Sequence, residues 1–449
     1  MSTNAKAVNA WIFLLEDEPE NASYKSPSSC YQSLIDYGVY SCTDMVNICW
    51  VDTAPTSATT VPAGDGSTHT VQLQPGTHPD GSTNQDYMNW LIADARRVNP
   101  DVKILVTLGY GDNEITQIFS SDQSQWQRNA TAFANNLLAY LDHYGLDGFD
   151  VDWESPLSDN GTSQQFAMLF TAIRAAFDAQ GKYYLTLSPA AVGTLDATTI
   201  NDAFDFISLQ LYSGFTFPQD FIEAGIAKTK LAYGAKFESS GNGDACPYQT
   251  AQQAYEGYTS GRYSVATQWR LNSGNYQFEQ AQQMILHQLV HGVSGTSFDD
   301  TQIVGAAGNP PITGLVVRSG EVVDALQATN TGSYQGCNSP LLYALPQHGG
   351  NGGQPDTVTV AAGDTIAEVS GYTGIWFGWE CVLQITITSR NGQVFGPFGT
   401  MNNASSQTPF SYVAPQGQSI VAFAGSLVEV PLAGGGTTNI VASLTPGYG

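Results

Sequence analysis

Short apolar runs alternate with longer amphipathic stretches over the first two thirds of the chain. "NAWIFLLE" (9–16) is strand-like, "CYQSLIDYG" (30–38) has helical spacing and a stopping glycine, and "MVNICWVDT" (45–53) is strand-like again. A loop rich in Gly, Pro, Ser and Thr runs to about residue 84 and contains "HTVQLQP", a hairpin arm. Beyond it, helical periodicity at 85–100 and in "NATAFANNLLAYLDHYG" brackets an apolar run at 102–111. Further strand-like segments fall at 147–154, 182–190, 204–213, 230–239 and 263–272, with helical patterns between them and a last helix at 278–292. Eight strands alternating with helices predict an α/β fold with a closed (β/α)8 barrel. The runner-up is an open doubly wound sheet, but no GxGxxG follows the first strand. After Gly292 the helical period stops, and short alternating segments such as "ITGLVVRSG" and "VLQITITSRNG" predict a C-terminal all-β domain. The reading therefore divides the chain at 1–292 and 293–449.

Composition narrows the partners. Hydrophobic residues make up 42% of the 449, ample for a packed core, while charged residues are only 12% and the formal net charge is −25. A phosphate backbone would be repelled, so nucleic acid is not an expected partner, whereas a neutral glycan meets no such penalty. No apolar run reaches the roughly 18 residues that span a bilayer. The start "MSTNAKAVNAW" has no basic n-region or apolar h-region. The expectation is a secreted or extracellular protein exported without a visible signal peptide, with a cytoplasmic location left open. Of the six cysteines, Cys30 with Cys42 and Cys337 with Cys381 are candidate bridges, and buried thiols are the alternative. None forms a CxxC pair, and neither a metal nor another cofactor is expected.

One segment needs a chemical explanation. "LDGFDVDWESP" (146–156) places Asp147, Asp150, Asp152 and Glu154 within eight positions of a strand-like stretch. Side chains alternate along a strand, so Asp150, Asp152 and Glu154 share one face and Phe149, Val151 and Trp153 the other. The apolar set suits packing against surrounding helices. The acidic set then climbs the inside of the barrel toward its C-terminal mouth, where barrel enzymes react. Carboxylates stacked roughly 6–7 Å apart cannot all ionise cheaply, so at least one becomes a proton donor near neutral pH. The bland alternatives are a charged strand end or a cation site, but calcium prefers oxygen ligands spread around a loop.

"DGFDVDWE" (147–154) resembles the DGxDxDxE signature of glycoside hydrolase family 18, the chitinases and endo-β-N-acetylglucosaminidases, over about residues 9–292. The resemblance implies a TIM barrel that hydrolyses β-1,4-linked N-acetylglucosamine polymers with retention and without a cofactor. Glu154 would be the general acid. Asp152 would orient the substrate's N-acetyl group, whose own oxygen is the nucleophile, and Asp150 would hold Asp152 in alternate protonation states. "QLY" matches a (Met/Gln)-x-Tyr element, so Gln210 and Tyr212 would meet the acetamido group. Trp269 in "TQWRLN" would floor the sugar at the cleavage point. Asp147 and Tyr110 complete the candidate substrate-binding set. Tyr110 belongs to a departure: "TLGYG" (107–111) stands where SxGG is usual, with Thr107 for Ser and Tyr110 for the second Gly. Ser213 follows Tyr212 where Asp or Asn is common. Only "SGNGDACPYQ" follows the seventh strand, which implies a shallow groove. N-glycan cleavage and a sugar-binding barrel of weak activity are the alternative functions.

The C-terminal part resembles a jacalin-type lectin, a β-prism, through "FDD" (298–300), "ITGLVVRSGEVVDALQ" (312–327), "HGGNGG" (348–353) and "GQVFGPFG" (392–399). That resemblance implies mannose- or galactose-type glycans as partners. The family's Gly-x-x-x-Asp loop lacks its aspartate here, and Thr438 or Asn439 falls near that place.

Overall fold

A computed structural model describes residues 6–14, 23–59, 69–109, 112–154, 160–193, 195–238, 249–292, 296–334, 337–432 and 434–449. The chain forms two compact units, the second made mostly of residues 280–449. No described helix is long and apolar enough to cross a membrane.

The first unit is a closed barrel of eight parallel strands. They are β1 (Ala7–Phe13), β2 (Met45–Pro55), β3 (Lys103–Leu108), β4 (Gly148–Trp153), β5 (Tyr184–Pro189), β6 (Phe206–Leu209), β7 (Leu231–Lys236) and β8 (Val265–Trp269). Each pairs in parallel with the next, and β8 pairs with β1. Followed once round the barrel, the register returns eight residues out of step, the stagger expected of a (β/α)8 barrel. The hairpin arm His69–Leu73 pairs antiparallel with β2.

Alternation along these strands builds the interior in layers. At the N-terminal end Met45, Leu105, Phe206, Ala232 and Val265 pack as an apolar floor, with Ala7 and Tyr184 against it. Gly148 is the β4 member of that level, because a Cβ there would stand 2.4 Å from the Tyr184 carbonyl oxygen. Two residues further along each strand the layer is polar: Asn9, Asn47, Thr107, Asp150, Thr186, Ser208 and Thr267, all buried. Gly234 completes it, its Cβ excluded by the Leu209 carbonyl oxygen. Two residues further again stand Trp11, Cys49, Asp152, Ser188, Gln210, Lys236 and Trp269, at the mouth.

The outward face of β4 is apolar and closes on helices. Phe149, Val151 and Trp153 are buried, and Trp153 meets Phe166 edge-on at 5.0 Å. Burial of each is worth about 1.5–3 kcal/mol. Around the barrel, α1 (Asn84–Val98) begins at a capping box of Thr83 and Asp86, and α2 (Trp126–Tyr144) ends on Gly145 in the left-handed region. Helix α3 (Asn160–Gln180) supplies Phe166, and α4 (Tyr276–His291) follows β8 in the chain.

In the second unit the strands pair antiparallel. They include β9 (Ile312–Ser319), β10 (Val323–Gly332), β11 (Ile366–Trp376), β12 (Trp379–Ser389), β13 (Ala404–Val413), β14 (Ile420–Pro431) and β15 (Thr437–Tyr448). Neither candidate bridge forms: Cys30, Cys42 and Cys381 are thiols, the alternative reading, whereas Cys337 is disulfide-bonded, to none of these three. Cys381 is packed in an apolar cluster with Val322, Leu383, Val430 and Ile440.

Candidate active site

The carboxylates of β4 differ in environment in steps of one pleat. Asp150 is fully buried at the barrel centre and accepts three hydrogen bonds: from Trp11 Nε1 of β1 (3.3 Å), Thr107 Oγ1 of β3 (3.1 Å) and Thr186 Oγ1 of β5 (2.5 Å). Burial raises its pKa, and these donors pull it back down. Asp152, one pleat higher and 5% exposed, has its carboxyl pushed well above the usual range by burial first, then by the charges of Glu154 and Asp150. Glu154 lies past the end of the strand and is exposed.

Gln210 joins the upper two. It follows the last residue of β6, is buried, and points its Nε2 at Asp152 Oδ1 (3.2 Å), Glu154 Oε1 (3.0 Å) and the Ser188 carbonyl oxygen (3.4 Å). A single amide group thus positions both carboxylates. Tyr212 stands two residues on, but not on a strand as expected. The chain leaves extended conformation at Gln210 (φ −76, ψ 63), and Leu211–Ser213 form a 3-10 turn that ends on Gly214 in the left-handed region. That turn carries the tyrosine to the rim.

Trp269 ends β8 and is half-buried. It packs on Phe13 edge-on at 4.9 Å and on Trp11 and Trp50 at 6.1 and 6.0 Å. Its register partner is Lys236 of β7, whose ammonium sits 5.5 Å from the Tyr212 ring centre and 3.5 Å from Glu238. Asp152, Glu154, Gln210, Tyr212, Lys236 and Trp269 line one cavity of about 200 Å³ at the C-terminal mouth.

One expected residue is not in this group. Asp147 is at the opposite end of β4. Its carboxylate accepts from the Ile104 amide (2.9 Å) and Arg96 of α1 (3.1 Å), so it ties a helix to the N-terminal rim. Being an odd-numbered neighbour of the inward-facing even positions, it has the wrong parity as well as the wrong height. Tyr110 lies outside the described residues.

Sequence reasoning passed over Trp11, Thr186, Cys49 and Lys236. Their shared signal is position: each stands on the inward parity of its barrel strand, at the height of the acids or one pleat from it. Thr107, noted only as a departure from Ser, keeps the hydroxyl that donates to Asp150. The Cys49 thiol is pushed well up by burial, then by the charges of Asp152 and Asp150, so it stays neutral beside them.

In the second unit the "HGGNGG" segment meets the place of the missing aspartate. The Gly350 amide donates to the Asn439 carbonyl oxygen (2.8 Å), and a Cβ on Gly350 would strike Thr438 Oγ1. His348, the first residue of this segment, bonds the buried Asp300 through Nε2 (2.8 Å).

Comparison with known proteins agrees with both units. The family described as glycosyl hydrolases family 18 matches residues 38–263, and the jacalin-like lectin domain matches residues 288–429. Chitinase A1 of Niallia circulans is 29% identical over 136 residues, which are 26% of this chain and 19% of that protein. The chain spans between 19% and 41% of the length of the curated relatives it matches. Among solved structures, a class V chitinase from Nicotiana tobaccum in complex with NAG4 is 12% identical, covers 65% of this chain and 100% of its own, and has a TM-score of 0.43. A mannose-binding jacalin-related lectin from Ananas comosus is 30% identical over 34% of this chain and 92% of its own, with a TM-score of 0.24.

Proposed function

Because the chain belongs to glycosyl hydrolases family 18 and carries a jacalin-like lectin domain after its barrel, we propose that it hydrolyses β-1,4-linked N-acetylglucosamine polymers with retention of configuration, held to glycan-bearing surfaces by the lectin. The observation that carries this reading is the ladder Asp150, Asp152 and Glu154, with Gln210 bridging the upper two above the same cavity as Trp269.

The geometry suits the following chemistry. Trp269 offers an indole face to the apolar face of a pyranose, and the sugar's 2-acetamido group lies toward Asp152, Gln210 and Tyr212. Glu154, at the exposed top, gives its proton to the glycosidic oxygen. As that C–O bond breaks, the acetamido oxygen forms a bond to the anomeric carbon and yields an oxazolinium ion. Asp152 accepts the acetamido N–H and, ionised, faces the positive charge. The proton that Asp152 gives up in doing so passes to Asp150, whose three donors accommodate either state by rotation of the two threonine hydroxyls. Glu154, now a carboxylate, takes a proton from water as that water attacks the anomeric carbon. The oxazolinium opens, and the second inversion restores the original configuration.

Chitotetraose and a high-mannose glycoprotein offered separately test the substrate. Release of chitobiose with the β-anomer in excess, and no trimming of the glycoprotein, is expected. Cleavage of the glycoprotein alone would move the reading to N-glycans, and cleavage of neither would leave a sugar-binding barrel.

A further inference from the structure

Inward layers of such barrels are usually filled by branched aliphatic side chains. Here the middle layer is polar, and part of it has no protein partner. Neither amide atom of Asn9 is hydrogen-bonded, nor is Asn47 Oδ1 or Ser208 Oγ, and all three residues are at least nine-tenths buried. Leaving such atoms unpaired is unfavourable, and buried polar groups without protein partners are the places internal water occupies.

Their positions describe a path. Asn9 also lines a cavity of about 280 Å³ at the N-terminal end of the barrel, whose rim carries Lys6, Asp44, Lys103 and Asp205. Ser208 lines the cavity at the mouth. Asp150 lies between them, bonded to Trp11, which is two residues above Asn9 on the same strand. The titratable groups facing Asp150 are Asp152 on its own strand and Cys49 of β2, while Trp11, Thr107 and Thr186 contribute only hydrogen bonds.

We propose that the middle layer holds a chain of internal waters seated on Asn9, Asn47 and Ser208, and that this chain conducts protons between Asp150 and solvent at the N-terminal end of the barrel. The role given to the route rests on the reading above, in which Asp150 takes up and returns a proton in each cycle. Besides the proton it trades with Asp152, Asp150 exchanges one with this route: for each proton that arrives by it, every water accepts one and passes one, and one enters from the N-terminal cavity. Return reverses the steps, and no other bond changes. The route matters because bound sugar covers the mouth, the other way in. It keeps Asp150 in exchange with solvent while the site is full.

The full chain serves for the test. A high-resolution crystal structure should show ordered water on Asn9 Oδ1, Asn47 Oδ1 and Ser208 Oγ. A middle layer without water, its two asparagine amides paired with each other, would overturn the proposal. In D2O, with the mouth covered by chitotetraose bound to Glu154→Gln protein, the infrared carboxyl band of the protonated aspartates should exchange at least tenfold more slowly when Asn9→Leu is added, and Asn9→Ser should restore the rate. Equal rates with and without Asn9→Leu would also overturn it. Should Asn9→Leu fail to fold, Ser208→Ala, the smaller change, is read the same way. These measurements need no turnover. Inactivity of the native protein on both chitotetraose and the glycoprotein would refute the hydrolase reading and leave the water path standing, whereas native activity with unaltered exchange in Asn9→Leu would refute the path alone.

Discussion

Asp152 is held between two other carboxylates, and almost everything expected at the residue scale follows from that. If Glu154 is the acid, Glu154→Gln lowers turnover of chitotetraose by about 10²–10⁴ while oligosaccharide binding, measured by calorimetry, stays within a few-fold. Near-native turnover would remove Glu154 from the role. On the proposed mechanism, Asp152→Asn takes away the carboxylate that would face the oxazolinium, so turnover should fall. Because Asp152 is raised partly by the charge of Asp150, the pH–rate profile changes shape as well as height. A profile of native shape would argue against substrate assistance. This ladder was legible in the sequence because period-two alternation alone puts three acids on one face. Asp147 belongs to the same motif but has the opposite parity, and its partners, Arg96 and the Ile104 amide, are distant in sequence. No local pattern announces such contacts. The donors to Asp150 come from β1, β3 and β5, and only the closed barrel brings them together.

At the scale of elements, the sheet register decides which hydroxyl serves which acid. Thr186 is the direct register partner of Asp150 and donates to it, and that bond holds the carboxyl down against burial. Thr186→Val keeps the shape and β propensity but removes the donor. The Asp150 carboxyl then rises further, its ionised form is reached only at higher pH, and the acid limb of the pH–rate profile moves toward alkaline pH. An acid limb that stays put in Thr186→Val would show that Asp150 does not titrate in the cycle. The apolar runs in the sequence located each strand but overran its ends. The run read as 204–213 is a strand only from Phe206 to Leu209, since burial continues through Gln210 while the backbone has already turned. Hydrophobicity reports burial, and a buried turn looks like a strand until its dihedral angles are known.

For the whole molecule, a buried acid away from the ladder sets a pH dependence of stability. Burial pushes the Glu279 carboxyl up to about 8, against the pull of hydrogen bonds from the Ser273 amide and hydroxyl. A carboxyl raised in the folded state favours folding fully below its unfolded value near 4.3, and that contribution is lost as pH climbs through the folded value. Glu279→Gln can still accept from Ser273 without ever ionising. Relative to the native protein, its melting temperature should therefore gain between pH 5 and about pH 8 and level off above that, and a constant gap across pH 5–8 would contradict the assignment. The lectin assignment predicts a separate effect: free mannose or galactose should slow hydrolysis of glycan-coated chitin and leave soluble chitotetraose unaffected, since only tethering depends on it. Equal inhibition of both substrates, or of neither, would dismiss targeting by that domain. The change from helical to short alternating periodicity made the second unit visible in the sequence. Its missing aspartate was visible too, but the contact of Gly350 with Thr438 and Asn439 was not, because it joins segments almost ninety residues apart. Finally, the packing of Trp269 has an optical consequence. Its ring lies about 6 Å from those of Trp11 and Trp50 at oblique angles of 49° and 38°. Transition dipoles so close and so tilted couple, giving the unliganded protein an exciton couplet in circular dichroism. A sugar that settles on Trp269 perturbs that couplet, so the cavity carries its own unlabelled reporter of occupancy.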